Sequence, residues 1–229
     1  MQDSNTKERI IKISETLFFQ KGYDKVSVQL ITREVGIAKG TFYHHFVSKA
    51  DLLNEIVNRK VDTQVKNLIK IKDKPDLNPL DRLNNIFSNS TKWKIEQLPL
   101  MISIMEALLS DDNLIIRTKL EDIGRQKSLP LIESIIIEGE KEKYFNIGKM
   151  RPKDVAAFIV GLSISLMNNF SRLIIEMFEH PQSSDELKVT VESYRTAVER
   201  LLGIPENSLN LMVDDFIDAF RIYIKNRSK

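Results

Sequence analysis

Ser27-Val28-Gln29-Leu30-Ile31-Thr32-Arg33-Glu34-Val35-Gly36-Ile37-Ala38-Lys39-Gly40-Thr41-Phe42-Tyr43-His44-His45-Phe46-Val47-Ser48-Lys49 is the most specific segment of the chain. Ser27 offers a side-chain oxygen to the free amides of a helix that runs to about Val35 and buries Leu30 or Ile31. Gly36 supplies the tight turn that ends it, and a further short helix runs from Lys39 to Phe46. Ile31, Ile37 and Phe42 form the small core that holds the two helices at a fixed angle. This arrangement lays the first helix across a phosphate backbone and aims the second into a major groove.

On the second helix Lys39, Thr41, Tyr43 and His44 are left facing outward. They combine a cation, hydroxyl donors and an imidazole, groups suited to phosphates and base edges. Gly40 lets the backbone approach DNA with no side chain in the way. Lys49 opens the next helix, where its charge and the positive helix terminus can both meet a phosphate. Tyr43 can alternatively be read as a packed core aromatic. His45, pointing away from Tyr43 and His44, reads as structural.

Working outward, Ile10, Ser14, Leu17 and Phe18 share one face of a preceding helix that Gly22 ends in a left-handed conformation. Three helices thus fit within the first fifty residues. A longer helix runs from Lys49 to about Lys72 with Leu52, Leu53 and Ile56 along one side, until Pro75 and Pro79 interrupt the chain. Further helices are predicted over 80–97, 99–109 and 112–138, the last kinked at Pro130. Glu138 to Lys143 reads as an exposed turn. A helix follows Arg151-Pro152, and a last pair spans 184–202 and 209–226. Alternating strand patterns and Asn-Gly or Asp-Gly hairpin turns are missing. The fold class is therefore all-α: an amino-terminal three-helix helix-turn-helix domain, residues 1–50, joined to a larger helical bundle, residues 51–229, with nine or ten helices in total.

Composition narrows the function. The chain has 229 residues, with 34 Lys and Arg, 32 Asp and Glu and no cysteine. That excludes disulfide frameworks, cysteine nucleophiles and cysteine-ligated metal centres. The first fifty residues carry eight basic and five acidic side chains, and the remaining 179 carry 26 and 27. The positive charge is concentrated where the helix-turn-helix lies, which suits an anionic partner. The opening residues lack the basic-then-apolar order of a secretory signal, and a cytoplasmic location is expected. The longest uncharged run, Val155 to Ser171, is 17 residues and contains Gly161, Ser163, Ser165, Asn168 and Asn169. It is too short and too polar for a membrane span, so no membrane partner is expected.

The segment from Ser27 to Lys49 resembles the DNA-binding domain of TetR-family transcriptional regulators. The matching residues are Ser27-Val28, Ile31, Gly36-Ile37, Lys39 to Tyr43, Phe46 and Ser48-Lys49, followed by Leu52-Leu53. The resemblance implies phosphate contacts from Ser27, Thr41, Tyr43, His44 and Lys49, with base reading near Gln29, Lys39 and Gly40. Leu30, Thr32, Val35 and Ala38 depart from the common pattern. Ala38 cannot cap the recognition helix through its side chain, at a cost of about 1 kcal/mol.

The resemblance further implies a homodimer on double-stranded DNA, repression through a palindromic operator, and release by a small hydrophobic or amphipathic effector. Candidate pocket residues are Trp93, Met101, Ile104, Met105, Phe158 and Met167, with Leu100 and Leu120 beside them; core packing explains the same residues. For the dimer interface, the helix from Val155 offers Phe158, Leu162, Leu166 and Phe170, and the last helix offers Phe216 and Phe220. The small residues Ala156, Ala157, Gly161, Ser163 and Ser165 suit either a central core helix or close approach of a second copy. An enzyme reading fares poorly. The histidines are His44, His45 and His180, with no HExxH and no phosphate-binding glycine loop, so no catalytic residue, cofactor or metal is expected. The alternative is a helical protein-interaction scaffold without sequence-specific DNA binding.

Overall fold

The computed structural model describes residues 2–180 and 182–227. Among them are ten α-helices and no strand: α1 Gln2–Lys21, α2 Val28–Val35, α3 Lys39–His45, α4 Lys49–Lys72, α5 Pro79–Glu96, α6 Leu98–Leu109, α7 Leu114–Lys141, α8 Pro152–Glu176, α9 Ser183–Leu202 and α10 Val213–Arg227, with a 3-10 turn at Asp111–Asn113. The helices divide into two compact units, one comprising Met1–Gln64 with Ile104–Gly124, the other Val65–Ser103 with Arg125–Lys229.

The first unit is built on the helix-turn-helix. Ile10, Phe18, Ile31, Phe42, Phe46 and Leu52 are almost completely buried in it. Ile37, expected in this core, is half-buried. Arg59 Nη1 donates to both carboxylate oxygens of Glu8, at 2.8 and 2.7 Å, and ties α4 to α1. That pairing holds the Glu8 carboxyl below its ordinary pKa. Lys60 and Glu15 form a second ion pair between the same helices.

The segment 104–124 belongs here rather than with the rest of the chain. Asn113 Nδ2 donates to Ala107 O at 2.9 Å and to Phe19 O at 3.5 Å, and Asp112 pairs with Lys25. Gly22, at φ +86°, ends α1 where an added Cβ would lie 2.5 Å from the Cβ of Asp112. Only a residue without a side chain satisfies both the left-handed turn and this approach. Helical periodicity carries no sign of that pairing.

In the second unit the core gathers Leu83, Ile135, Ile136, Val155, Ile159, Val198 and Leu202. α8 packs along α9, and Ser163 Oγ and Tyr194 OH lie 2.8 Å apart. Burial pushes the Tyr194 hydroxyl up to about 12, although the Ser163 contact opposes it. α8 is long and apolar enough to cross a membrane by length and composition. Here Val155, Ala156, Ile159, Leu173 and Ile174 on it are buried against neighbouring helices.

Three boundaries differ from the sequence reading. α7 begins at Leu114 after the 3-10 turn and continues through Pro130 to Lys141, so residues 138–141 are helix rather than turn. α10 begins at Val213, not near residue 209. The buried Glu199 carboxylate accepts from Asn207 N at 3.2 Å and Leu209 N at 2.9 Å. Asn84 brackets the same loop, accepting from Asn210 N at 2.8 Å and donating to Ser208 O at 3.0 Å. These bonds satisfy backbone groups outside a helix, and Leu209 becomes a buried plug of the loop.

Candidate DNA-binding face

α2 begins as its sequence dictates. Ser27 has extended backbone, and its hydroxyl oxygen accepts from Leu30 N at 3.1 Å. Gly36 ends the helix at φ 74°, ψ 44°, with the amides of Gly36 and Ile37 returning to Thr32 O at 3.0 Å. This left-handed cap reverses the chain within two residues and sets the start of α3. Thr32 Oγ1 donates to Gln29 O at 3.0 Å, and the Gln29 side chain is exposed. From α1, Arg9 reaches the last carbonyl of α2, with Nη2 2.6 Å from Val35 O.

Ala38 stands at the N-cap of α3 with no side-chain hydrogen bond, as its chemistry requires. Phe42 is the inward residue of α3 and is fully buried. Lys39, Gly40, Tyr43 and His44 are exposed, and Thr41 is half-buried. Tyr43 is 48% exposed and its ring meets Phe42 edge-on, at 5.4 Å and 87°. It is therefore a surface aromatic braced from beneath. Lys39 Nζ lies 5.9 Å from the centre of the Tyr43 ring, a distance at which the ring face attracts the cation. His44 and His45 meet edge-on at 5.1 Å, His44 outward and His45 half-buried. A Cβ at Gly40 would meet no atom of the protein within 4 Å, so the fold itself does not require glycine there.

Lys49 opens α4, as its place in the sequence requires. Its ammonium donates to Tyr23 O and to Val26 O, each at 2.9 Å, and stands 4.1 Å from the centre of the Tyr23 ring. Two of its three protons thus clamp the loop between α1 and α2, and the side chain is half-buried. Tyr23, which the sequence reading passed over, forms the floor of this clamp. Ser48 opens α4: its Oγ accepts from Asp51 N, and Asp51 Oδ2 accepts from Val47 N, both at 3.1 Å. This reciprocal cap was readable as Ser-x-x-Asp. Val47, also passed over, is 85% exposed in the turn that follows α3.

Of the residues expected in an effector pocket, Met101 and Met105 are buried, Ile104 is half-buried, and Trp93, Phe158 and Met167 are exposed. The expected dimer residues also separate. Phe170, Phe216 and Phe220 are core, with ring centroids 4.8 Å apart for Phe170 and Phe216 and 6.1 Å for Phe216 and Phe220. An aromatic cluster buried within one chain cannot also face a second copy. Leu162 and Leu166 are half-buried, and Phe158 is 53% exposed. Phe158 and Leu162 line an open groove of about 700 Å³ with Ala157, Gly161, Ala197, Arg200 and Leu201 of α8 and α9.

Residues 10–56 match the family described as bacterial regulatory proteins, tetR family. An HTH-type transcriptional regulator of Staphylococcus aureus is 36% identical over 67 residues, 29% of this chain and 36% of that protein. The chain thus spans about a third of the length of the curated relatives it matches. SmeT in complex with triclosan, the Stenotrophomonas maltophilia protein, superposes with a TM-score of 0.62 at 19% identity, over 90% of this chain and 95% of that one. The regulator FadR from Bacillus subtilis, solved with stearoyl-CoA, gives a TM-score of 0.56 at 20% identity, over 85% and 97%. These two likenesses concern the fold. The ordered helix-turn-helix residues and the family match over the same segment carry the assignment: residues 10–56 form the amino-terminal domain of the tetR family of bacterial regulatory proteins.

Proposed function

We propose that the protein is a ligand-responsive, DNA-binding transcriptional regulator that acts as a homodimer, represses from a palindromic operator, and is released by a small hydrophobic or amphipathic effector. The observation that carries this reading is the outer face of α3, where Lys39, Tyr43 and His44 are exposed beside Gly40 and Thr41 while Phe42 anchors the helix from within. Lys39, Gly40 and Gln29 are read as facing bases, and Ser27, Thr41, Tyr43 and His44 as meeting phosphates. Lys49 is read as holding the loop before α2.

The apolar groove on α8 and α9 supports the homodimer. Ala157, Gly161 and Ala197 let two helix pairs approach closely, and Phe158 supplies the apolar area. Two recognition helices about 34 Å apart would enter successive major grooves, and a ligand favouring another spacing would release DNA. SmeT binds triclosan and FadR stearoyl-CoA, which supports a ligand-receiving role for the helical part of this chain.

The test is a fluorescence-anisotropy titration against DNA from immediately upstream of the protein's own coding region, at several salt concentrations, with an unrelated duplex as control. Tight, sequence-dependent binding that weakens steeply with salt is expected. Failure to enrich any fragment in a selection from the whole genome would refute the DNA-binding reading and leave the scaffold alternative.

A further inference from the structure

The inward stripe of α5 runs Leu83, Phe87, Thr91 and then Lys94, at steps of four, four and three residues. Leu83 is completely buried, and Phe87 packs against the core with its ring edge-on to Tyr194. Thr91 is buried, and its hydroxyl bonds Phe87 O at 3.2 Å and Leu211 O at 3.1 Å. The helix thus presents to the core a register whose next member is a cation. Lys94 Nζ lies 4.8 Å from the centre of the Phe170 ring, and Phe170 packs in turn on Phe216. Among the described residues no carboxylate or carbonyl lies within hydrogen-bonding distance of that ammonium. Desolvation by the surrounding protein lowers its pKa to about 8.

Lysine is seldom taken out of water without an opposite charge, because the ammonium forfeits hydration that an aromatic face replaces only in part. Half-buried arginines of this unit have such a partner: Arg82 pairs with Glu138 and Arg195 with Glu192. The Lys94 side chain is half-buried with its ammonium against an aromatic ring, and among the described residues it lacks the second member of an ion pair. We infer that Lys94 holds the anionic end of an amphipathic ligand, a carboxylate or sulfonate on an apolar body. The inference rests on the ligand-responsive reading above and names the chemical class that such an effector would have. Trp93, the only tryptophan, adjoins Lys94 in the chain and is exposed, so its emission reports on this end of α5.

The test uses the full-length protein without DNA and pairs of probes that differ only in charge: decanoate with decanol, and 2-naphthoate with 2-naphthalenemethanol. Trp93 fluorescence reads the decanoate pair and isothermal calorimetry reads both. Saturable binding with at least about tenfold preference for the anion in one pair is expected, a loss of about 1.4 kcal/mol for the neutral probe. Lys94→Met should abolish that preference, and Lys94→Arg should keep it. Equal affinity for anion and neutral probe in both pairs, no saturable binding of either anion, or an unchanged preference in Lys94→Met would overturn the inference. Operator binding is read separately by anisotropy. If an anion binds through Lys94 and leaves operator affinity unchanged, the anion site stands and the effector role assigned to it falls.

Discussion

Replacing Lys49 by methionine separates two roles that the same side chain could play. The ammonium makes two hydrogen bonds of 2.9 Å to backbone carbonyls and a contact of 4.1 Å to the Tyr23 ring. A hydrogen bond with one charged partner contributes about 1.5–3 kcal/mol, and the low end applies to a half-buried site. Two such bonds with about 0.5 kcal/mol from the ring give a loss of about 3.5 kcal/mol. For a chain of this size that corresponds to a fall of about 7–14 °C in Tm. Methionine keeps most of the apolar stem, so the loss reports the ammonium rather than the packing. The assay combines thermal unfolding by circular dichroism with anisotropy titrations over a range of salt, well below the transition. A lysine that clamps the loop lowers Tm and leaves the salt slope of DNA binding unchanged. One that neutralises a phosphate leaves Tm alone and reduces the slope by about 0.9 for each chain bound. A parent-like Tm with a reduced slope would refute the assignment of Lys49 as a clamp.

Gly40→Ala should stabilise the first unit by about 0.5–1 kcal/mol, because a Cβ there meets nothing within 4 Å and alanine is the better helix former. The same variant should weaken operator binding about tenfold or more, and parent-like affinity in an anisotropy titration would remove Gly40 from the base-facing set. Gly161→Arg should give a monomer by sedimentation with unchanged helicity, since its Cβ also has open space within its own chain and its charge would enter the apolar groove; a dimer of parent strength would place the interface elsewhere. Lys94→Met should raise stability at pH 7 by up to about 3 kcal/mol, from a pKa lowered from 10.5 to about 8 at 1.36 kcal/mol per unit. In the parent, the unfolded chain binds more protons than the folded one between pH 8 and 10.5, so stability from this group rises with pH across that window. The advantage of methionine should therefore fade from pH 8 upward, and chemical denaturation at pH 7 and pH 10 showing an equal difference would contradict the desolvation argument.

The helix-turn-helix was legible because its determinants lie close together in the chain. Ser27 caps an amide three residues on, Gly36 turns against Thr32, and Phe42 falls on the inward side of a helix only seven residues long. Ala38 could likewise be read as a missing cap from its chemistry alone. Lys49 could not be read in the same way. Its position at the opening of a helix fits a phosphate contact, but the carbonyls it binds lie 23 and 26 residues away in sequence. Asp112 is a stronger case, because its pairing with Lys25 spans 87 residues and no periodicity encodes it.

The aromatic residues of the helical body show where an apolar pattern stops being informative. Phe216 and Phe220 form a stripe on an amphipathic helix, and such a stripe requires burial without naming the surface that covers it. Their own chain covers them through Phe170 and Phe178. Phe158 belongs to the same apolar run as Ile159 yet turns to the open groove, because α8 meets α9 on one side only and the run is apolar all round. Lys94 is the converse. Its charge places it on the surface by any reading of hydropathy, while the spacing from Leu83 through Thr91 places it inward. Where residue type and register disagree, packing of the rest of the helix decides position, and the misplaced chemistry is then left for a ligand or a neighbour to satisfy. That conflict is present in the sequence, but only register fixed by the buried Leu83 and Thr91 turns it from an ordinary surface lysine into a site.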